Sequence, residues 1–464
     1  MIRRAPLYLL LLLFASGCAY FNTFYHARKY YNQAAESQRK SGLERASPGE
    51  ANLYNKSLEK CTKVITQYPK SRWVDDAAYL MGLCYFARGE YDKAQEKFEE
   101  IPLAYPKSNL VPDCHLMKGK CLFKKKVHDQ AEVVLLSTLS DYPRINHRDD
   151  LLFTLGENSL ATKENEKALQ WFTRVYKEET GSKRRYDALI KIGEVDYLLK
   201  RFDEAKEAFT IVSLRHPLAD KRFEARYKIG DCLEAIGKFQ EGLQFYQDML
   251  KEVKGGVKEA EVTIRIGRSY ERLADAKKAI EIYNQVMDKF PKSAFAAEAQ
   301  FRVGYTYEIL LEDLDKARES YDKVKTIYSR SQFVEQAGTR SSNIAKWGEY
   351  KKESKDEGGE KAAEKAFMLA ELLFFQLDKV DKALEQYALV ERDYPGSSFA
   401  PRAAFATAWI LKNVKKDEQG SKEAFLRVTE MYPNTPFAEA AAKALEEHFE
   451  ADSTLKSPDP NDRQ

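Results

Sequence analysis

Small and bulky apolar positions recur along this chain with one long period. Glycine stands at Gly82, Gly119, Gly156, Gly193, Gly230, Gly267 and Gly304, each 37 residues after the last. Twelve residues after them come Ala94, Ala131, Ala168, Ala205, Gly242 and Ala279, with Ala317 displaced by one. Sixteen residues after come Phe98, Leu135, Phe172, Phe209, Tyr246 and Tyr283, and twenty-four after four of the glycines come Pro106, Pro143, Pro217 and Pro291. Self-similarity at such a period is the signature of stacked supersecondary units. The order small, small, large, proline predicts two antiparallel helices per unit, A and B. The glycine and alanine sit where the helices approach, the bulky residue fills the space beside them, and the proline ends helix B. The expected fold class is all-α, an α-solenoid of stacked helix-turn-helix units.

The same lattice sets the expected boundaries. Tyr68-Pro69-Lys70-Ser71 precedes Tyr105-Pro106-Lys107-Ser108 by one period, so residues 22–68 form a first, irregular unit split by the polar stretch Ser41 to Glu50. Related connectors recur at Phe290-Pro291-Lys292-Ser293, Tyr394-Pro395-Gly396-Ser397 and Tyr432-Pro433-Asn434-Thr435, and their Ser or Thr is an N-cap candidate for the next helix. An N-terminal array over 18–331 is followed at 332–366 by a long helix and a charged, glycine-containing insert, Lys351 to Lys361, expected to be a hinge or mobile loop. Two more units and a capping helix follow over 367–450. The polar tail 451–464 is expected to be disordered.

Charge changes the picture only by exclusion. The chain has 75 Lys and Arg against 72 Asp and Glu, and residues 1 to 17 hold two of the basic ones, Arg3 and Arg4. The chain from residue 18 onward is therefore balanced at +1, which argues against nucleic acid as a ligand. The start itself reads as a secretory signal: Arg3-Arg4, an apolar run from Leu7 to Phe14, then Ala15-Ser16-Gly17-Cys18. That run is too short to span a bilayer.

Candidate chemistry is sparse. Cys84, Cys121 and Cys232 each stand two residues after a repeat glycine, a small core position, and neighbouring units are too far apart for a disulfide. The six histidines show no ligand spacing, so no metal is expected, and no motif implies a cofactor or a small-molecule substrate. Gly255-Gly256 takes the place of a connector proline, and Asp196 puts an acid at a usually apolar repeat position. Six residues before the glycines runs a row of acids: Asp76, Asp113, Asp150, Asp187, Glu224, Glu261 and Glu298. They complement the dipole at the start of helix A, or form a ladder for a basic partner segment.

The repeat pattern resembles the tetratricopeptide repeat, with three residues more than the usual 34, and Ala-Ser-Gly-Cys18 resembles the lipobox of bacterial lipoproteins. Ala15 stands where that motif usually has leucine. Together these features resemble the envelope tetratricopeptide lipoproteins of the BamD and TolA-binding coordinator type. The resemblance implies a right-handed solenoid and acylation of Cys18. With Ala19 rather than Asp next, it implies the outer membrane, facing the periplasm. It also implies a groove lined by helix A three residues before, one after and four after the glycine. Those positions supply Tyr79, Phe86, Phe123, Phe153, Tyr197, Tyr227, Asp231, Glu234, Glu271, Phe301, Tyr305 and Glu308. The expected function is a non-enzymatic scaffold that binds envelope proteins during outer-membrane assembly. A chaperone-like carrier of extended segments, or a component of a secretion or polysaccharide export complex, is the alternative.

Overall fold

The computed structural model describes the backbone of residues 5–356 and 359–455 and the side chains of residues 22–351 and 359–446. Among these residues there are 22 α-helices and no strand. They form two compact units, residues 1–238 and 239–464. Cys18 has no described side chain, and residues 357–358 and 456–464 lie outside the description, so the acylation, the centre of the expected hinge and most of the expected disordered tail fall there.

In the first unit, helices Ala5–Ser41 and Pro48–Gln67 make an irregular opening pair. Ser47 caps the second helix in a reciprocal capping box with Glu50. Regular pairs follow as Val74–Ala87 with Tyr91–Ala104, Val111–Lys124 with His128–Asp141, Arg148–Ala161 with Asn165–Glu178, and Arg185–Leu198 with Phe202–Arg215. Ala219–Ala235 closes the unit. Each regular helix has 14 residues. A three-residue turn joins A to B and a six-residue connector joins B to the next A, which accounts for the period of 37.

The glycines do the work assigned to them. A Cβ at Gly82 would lie 2.6 Å from the Phe98 ring, at Gly156 2.6 Å from Phe172, and at Gly193 2.8 Å from Phe209. All three aromatic rings are buried. Helix A can therefore lay its bare backbone on the helix B aromatic. The A-to-B turn adds a demand that the repeat pattern does not announce: the seventh residue after the glycine is left-handed, at Gly89 (φ 79°), Lys126 (φ 63°), Lys163 (φ 64°) and Lys200 (φ 61°).

The connectors only partly match the capping expectation. Ser293 is an N-cap that accepts from the Ala296 N–H at 3.1 Å. Ser108 instead sits earlier, accepts from Leu110 N–H and donates to Asp75 of the preceding repeat at 2.6 Å. Ser182 donates likewise to Asp149 at 2.5 Å. At these two places the longer connector ties a repeat back to its predecessor.

The second unit comprises Phe239–Glu252, Gly256–Arg272 with Ala276–Lys289, Ala294–Ile309 with Leu314–Ile327, the long helix Phe333–Asp356, Glu360–Phe375 with Val380–Asp393, Ala400–Ile410 with Glu418–Met431, and Pro436–Leu455. Gly255 and Gly256, both at φ 74°, make the connector that proline makes elsewhere. The charged insert is largely helix, because Phe333–Asp356 runs through its first part and Glu360–Phe375 begins before its end. After Gly304 the repeat continues in altered dress. Ala370, Ala383 and Tyr387, then Ala408, Ser421 and Phe425, are all buried at the spacing of Gly304, Ala317 and Tyr321.

Candidate partner-binding face

Helix A of one repeat touches helix A of the next: Val111–Lys124 meets Arg148–Ala161 in the first unit, and Gly256–Arg272 meets Ala294–Ile309 in the second. The residues expected to line a groove on these helices fall into two classes. Three residues before the glycine, the side chain turns toward helix B. Phe153 packs edge-on against Phe172 with ring centroids 5.2 Å apart, and Phe301 packs on Tyr321 at 5.5 Å. Phe153, Phe301 and Tyr227 are buried and belong to the core, which corrects their expected place in a groove. Tyr79 packs the same way on Phe98 at 5.5 Å but remains half-buried.

Four residues after the glycine the result is different. Phe86 is half-buried and meets Tyr91 at 5.3 Å, Phe123 is half-buried and meets His128 at 5.8 Å, and Tyr197 is 37% exposed and meets Phe202 at 5.1 Å. Each rests edge-on against the ring that opens helix B, nine residues after the glycine. The support holds one ring edge and leaves surface on the other side. This ninth position is not among those the repeat pattern singles out, although Tyr91, His128 and Phe202 stand in register and could have revealed it.

The acid row of the first unit stands ten residues before these aromatics, about 15 Å along helix A at 1.5 Å per residue. Asp150 takes Lys120 at 2.6 Å and Arg184 at 2.7 Å. Burial pushes its pKa up, but the two cations outweigh burial and bring it below the usual range. Arg184 also lies over the Phe153 ring at 4.9 Å. Asp113 has no such cation in contact: it is 9% exposed, its Oδ1 is enclosed without a hydrogen-bond partner, and burial raises its pKa. Burial also raises Asp76 and Glu157. The row is therefore more than a set of solvated helix-dipole acids, since part of it is desolvated.

Asp231 and Glu234 are partly exposed on Ala219–Ala235. In the second unit Glu271 accepts from Thr306 at 3.1 Å and lies 3.6 Å from Arg302. Tyr305 is partly buried, with Arg340 5.4 Å from its ring. Glu308 is wholly enclosed, accepting from Tyr321 Oη at 2.6 Å and Arg340 Nη1 at 2.8 Å. It locks Phe333–Asp356 onto Ala294–Ile309 and offers no surface, a second correction. Asp196 is likewise buried, 3.9 Å from Arg201.

Cys61, Cys84, Cys114, Cys121 and Cys232 are buried, unbridged thiols, and burial raises the pKa of each. Among the described residues no group of His, Cys, Asp or Glu is placed to hold a metal ion, and no helix is long and apolar enough to cross a membrane.

Models described as tetratricopeptide repeat match residues 193–256, 264–293 and 297–330, and one described as anaphase-promoting complex, cyclosome, subunit 3 matches residues 50–138. No curated protein matches the chain. Similar solved structures include a tetratricopeptide repeat protein from Parabacteroides merdae, 13% identical, covering 58% of this chain and 98% of its own, with a TM-score of 0.42. Pseudomonas aeruginosa pilF is 20% identical and covers 49% of this chain and 97% of its own, at 0.36. The apo quorum sensor NprR from B. thuringiensis is 14% identical and covers 68% and 97%, at 0.39.

Proposed function

We propose that this tetratricopeptide-repeat protein is a lipid-anchored scaffold at the periplasmic face of the outer membrane, where it binds other proteins of envelope assembly without catalysing a reaction. The observation that carries the reading is the row of half-exposed rings Phe86, Phe123 and Tyr197, each propped by a helix B aromatic, near the end of helices A whose first turns carry partly desolvated acids. Rings held by a rigid support lose little conformational freedom on binding, so they make effective anchors for an apolar segment. The acids favour a segment that also carries Lys or Arg.

Stacked helix pairs present extended surfaces suited to long partners. The Ala-Ser-Gly-Cys18 motif supports the membrane attachment, since diacylglycerol together with an amide-linked chain gives stable anchoring where one chain does not. In the alternative reading the same helix A residues carry extended, unfolded envelope segments or serve an export complex.

The test is purification of the native protein from detergent-solubilised envelopes, with a Cys18→Ala form as control, followed by mass spectrometry. Recovery of a defined set of outer-membrane assembly proteins that depends on Cys18 supports the scaffold. Scattered unfolded cargo supports the carrier and rejects the scaffold.

A further inference from the structure

We infer that the anchor end of the opening helix pair docks on an anionic phospholipid bilayer and so orients the repeats beyond it. This rests on the reading of Cys18 as a lipid attachment site. The opening helices are antiparallel, so residues just past Cys18 share one end with the last turns of Pro48–Gln67 and the connector 68–73. Phe24 and Ala27 pack there on Cys61 and Val64, with Trp73 beside them.

Charge is concentrated at that end. Residues 22–32 and 58–73 hold Arg28, Lys29, Lys60, Lys63, Lys70 and Arg72, with Glu59 as their single acid, a balance of +5. The opposite end of the same pair, residues 33–57, has four basic and three acidic residues, and residues 75–464 have 63 basic against 68 acidic. The chain's near-neutrality thus conceals a basic tip on an acidic body. Asp75 and Asp76 open the next helix, Glu36 borders the same cleft as Arg28 and Lys29, and Arg28 lies close enough to Asp76 to favour its charged form. Lys60 pairs with Glu59 at 3.4 Å. Lys29, Lys63 and Lys70 remain exposed.

The aromatic groups at this tip fit the same surface. Tyr25 is 62% exposed. Trp73 stacks on Phe24 at 5.5 Å and lies under the Arg72 guanidinium at 4.8 Å. Phe24, Tyr25, Arg28, Lys29 and Trp73 border an open cleft of about 530 Å³. Amphipathic rings and basic side chains together suit the headgroup layer of a membrane. Tyr25 lies seven residues beyond position 18 on one continuous helix, about 10 Å at 1.5 Å per residue. The Debye length is about 8 Å at physiological salt, so attraction to an anionic surface is partly screened at that distance and strengthens as salt falls.

The experiment is vesicle co-sedimentation of the mature chain carrying Cys18→Ala, so that acylation contributes nothing. The chain is expected to bind vesicles of phosphatidylglycerol with phosphatidylcholine, to release from them as salt rises, and to ignore phosphatidylcholine alone. Combining Arg28→Gln, Lys29→Gln, Lys63→Gln and Lys70→Gln should lower partitioning at least about a hundredfold, at roughly fivefold per residue. Arg39→Gln with Lys40→Gln, at the far end, should leave it unchanged. Equal binding to neutral vesicles, no binding to anionic ones, or equal loss in both variants would overturn the inference. The intact mass of the native protein reports acylation of Cys18 separately, so a failed anchor reading and a failed docking face give different results.

Discussion

At the scale of single residues, the repeat rests on absent atoms and on charges left short of partners. The Gly156 backbone lies against the Phe172 ring, and an added Cβ would sit 2.6 Å from it. Gly156→Ala gains helix propensity, about 1 kcal/mol, but forces apart a filled contact, which typically costs about 1 to 3 kcal/mol. The expected net effect is loss of stability, read as a lower denaturant midpoint for unfolding, whereas a neutral result would show that the contact can relax. Asp113 offers a test with a definite sign. Its carboxyl is enclosed and its pKa raised by burial, so it holds a proton more tightly in the folded chain. Its unfavourable contribution is absent below the unfolded pKa of about 3.9 and grows as pH rises through the higher folded value. Asp113→Asn should therefore stabilise by roughly 1 kcal/mol at pH 7.5, the lower end of the penalty for an unsatisfied buried group, and by less at pH 4.5. Melting curves at the two pH values check this, and a pH-independent difference would contradict the assignment.

At the scale of elements, the turn between helices A and B and the lock on the long helix are the informative sites. Lys163 holds a left-handed backbone at φ 64° where Gly89 stands in an earlier repeat. Lys163→Gly removes a strain of about 1 kcal/mol but adds unfolded-state freedom. A small gain in melting temperature is expected, and a loss would show that the lysine side chain holds the turn. The Glu308, Tyr321 and Arg340 cluster has larger consequences. Arg340→Met leaves a buried carboxylate without its cation and should cost about 3 to 5 kcal/mol. Adding Glu308→Gln should recover much of that loss, because the uncompensated charge is gone. Denaturant titration of the two variants decides it, and equal destabilisation in both would refute the lock.

These elements show what the sequence makes legible. Gly82, Gly119, Gly156, Gly193, Gly267 and Gly304 announce the helix pairs because a Cβ at each would press on the bulky residue of helix B. The bulky partner already shifts by one place at Gly304 and Tyr321, and once Ala370 and Ala408 replace glycine the same architecture continues without its most visible mark. Phe153, Phe301 and Tyr79 share a repeat position with a groove expectation, yet they pack on helix B aromatics. Position within a repeat sets which helix face a residue occupies, whereas the size of the neighbouring side chain sets how much of it remains exposed. The Glu308 pair was not legible because Arg340 is 32 residues away, on a helix that interrupts the repeat period.

At the scale of the whole molecule, the proposed attachment at Cys18 adjoins a basic end, and propped aromatic rings stand in the first, second and fourth regular repeats beyond it. The central claim is that this helix A face, and not the outer faces of the B helices, meets a protein partner. The most direct test is photocrosslinking in living cells, with a benzoylphenylalanine placed singly at Phe86, Phe123 or Tyr197, and at the exposed helix B positions Gln170 and Glu207 for comparison. One discrete adduct of the same partner is expected from all three aromatic sites, and none from the comparison sites. Adducts of equal yield from Gln170 and Glu207, or none from the aromatic sites, would contradict the claim.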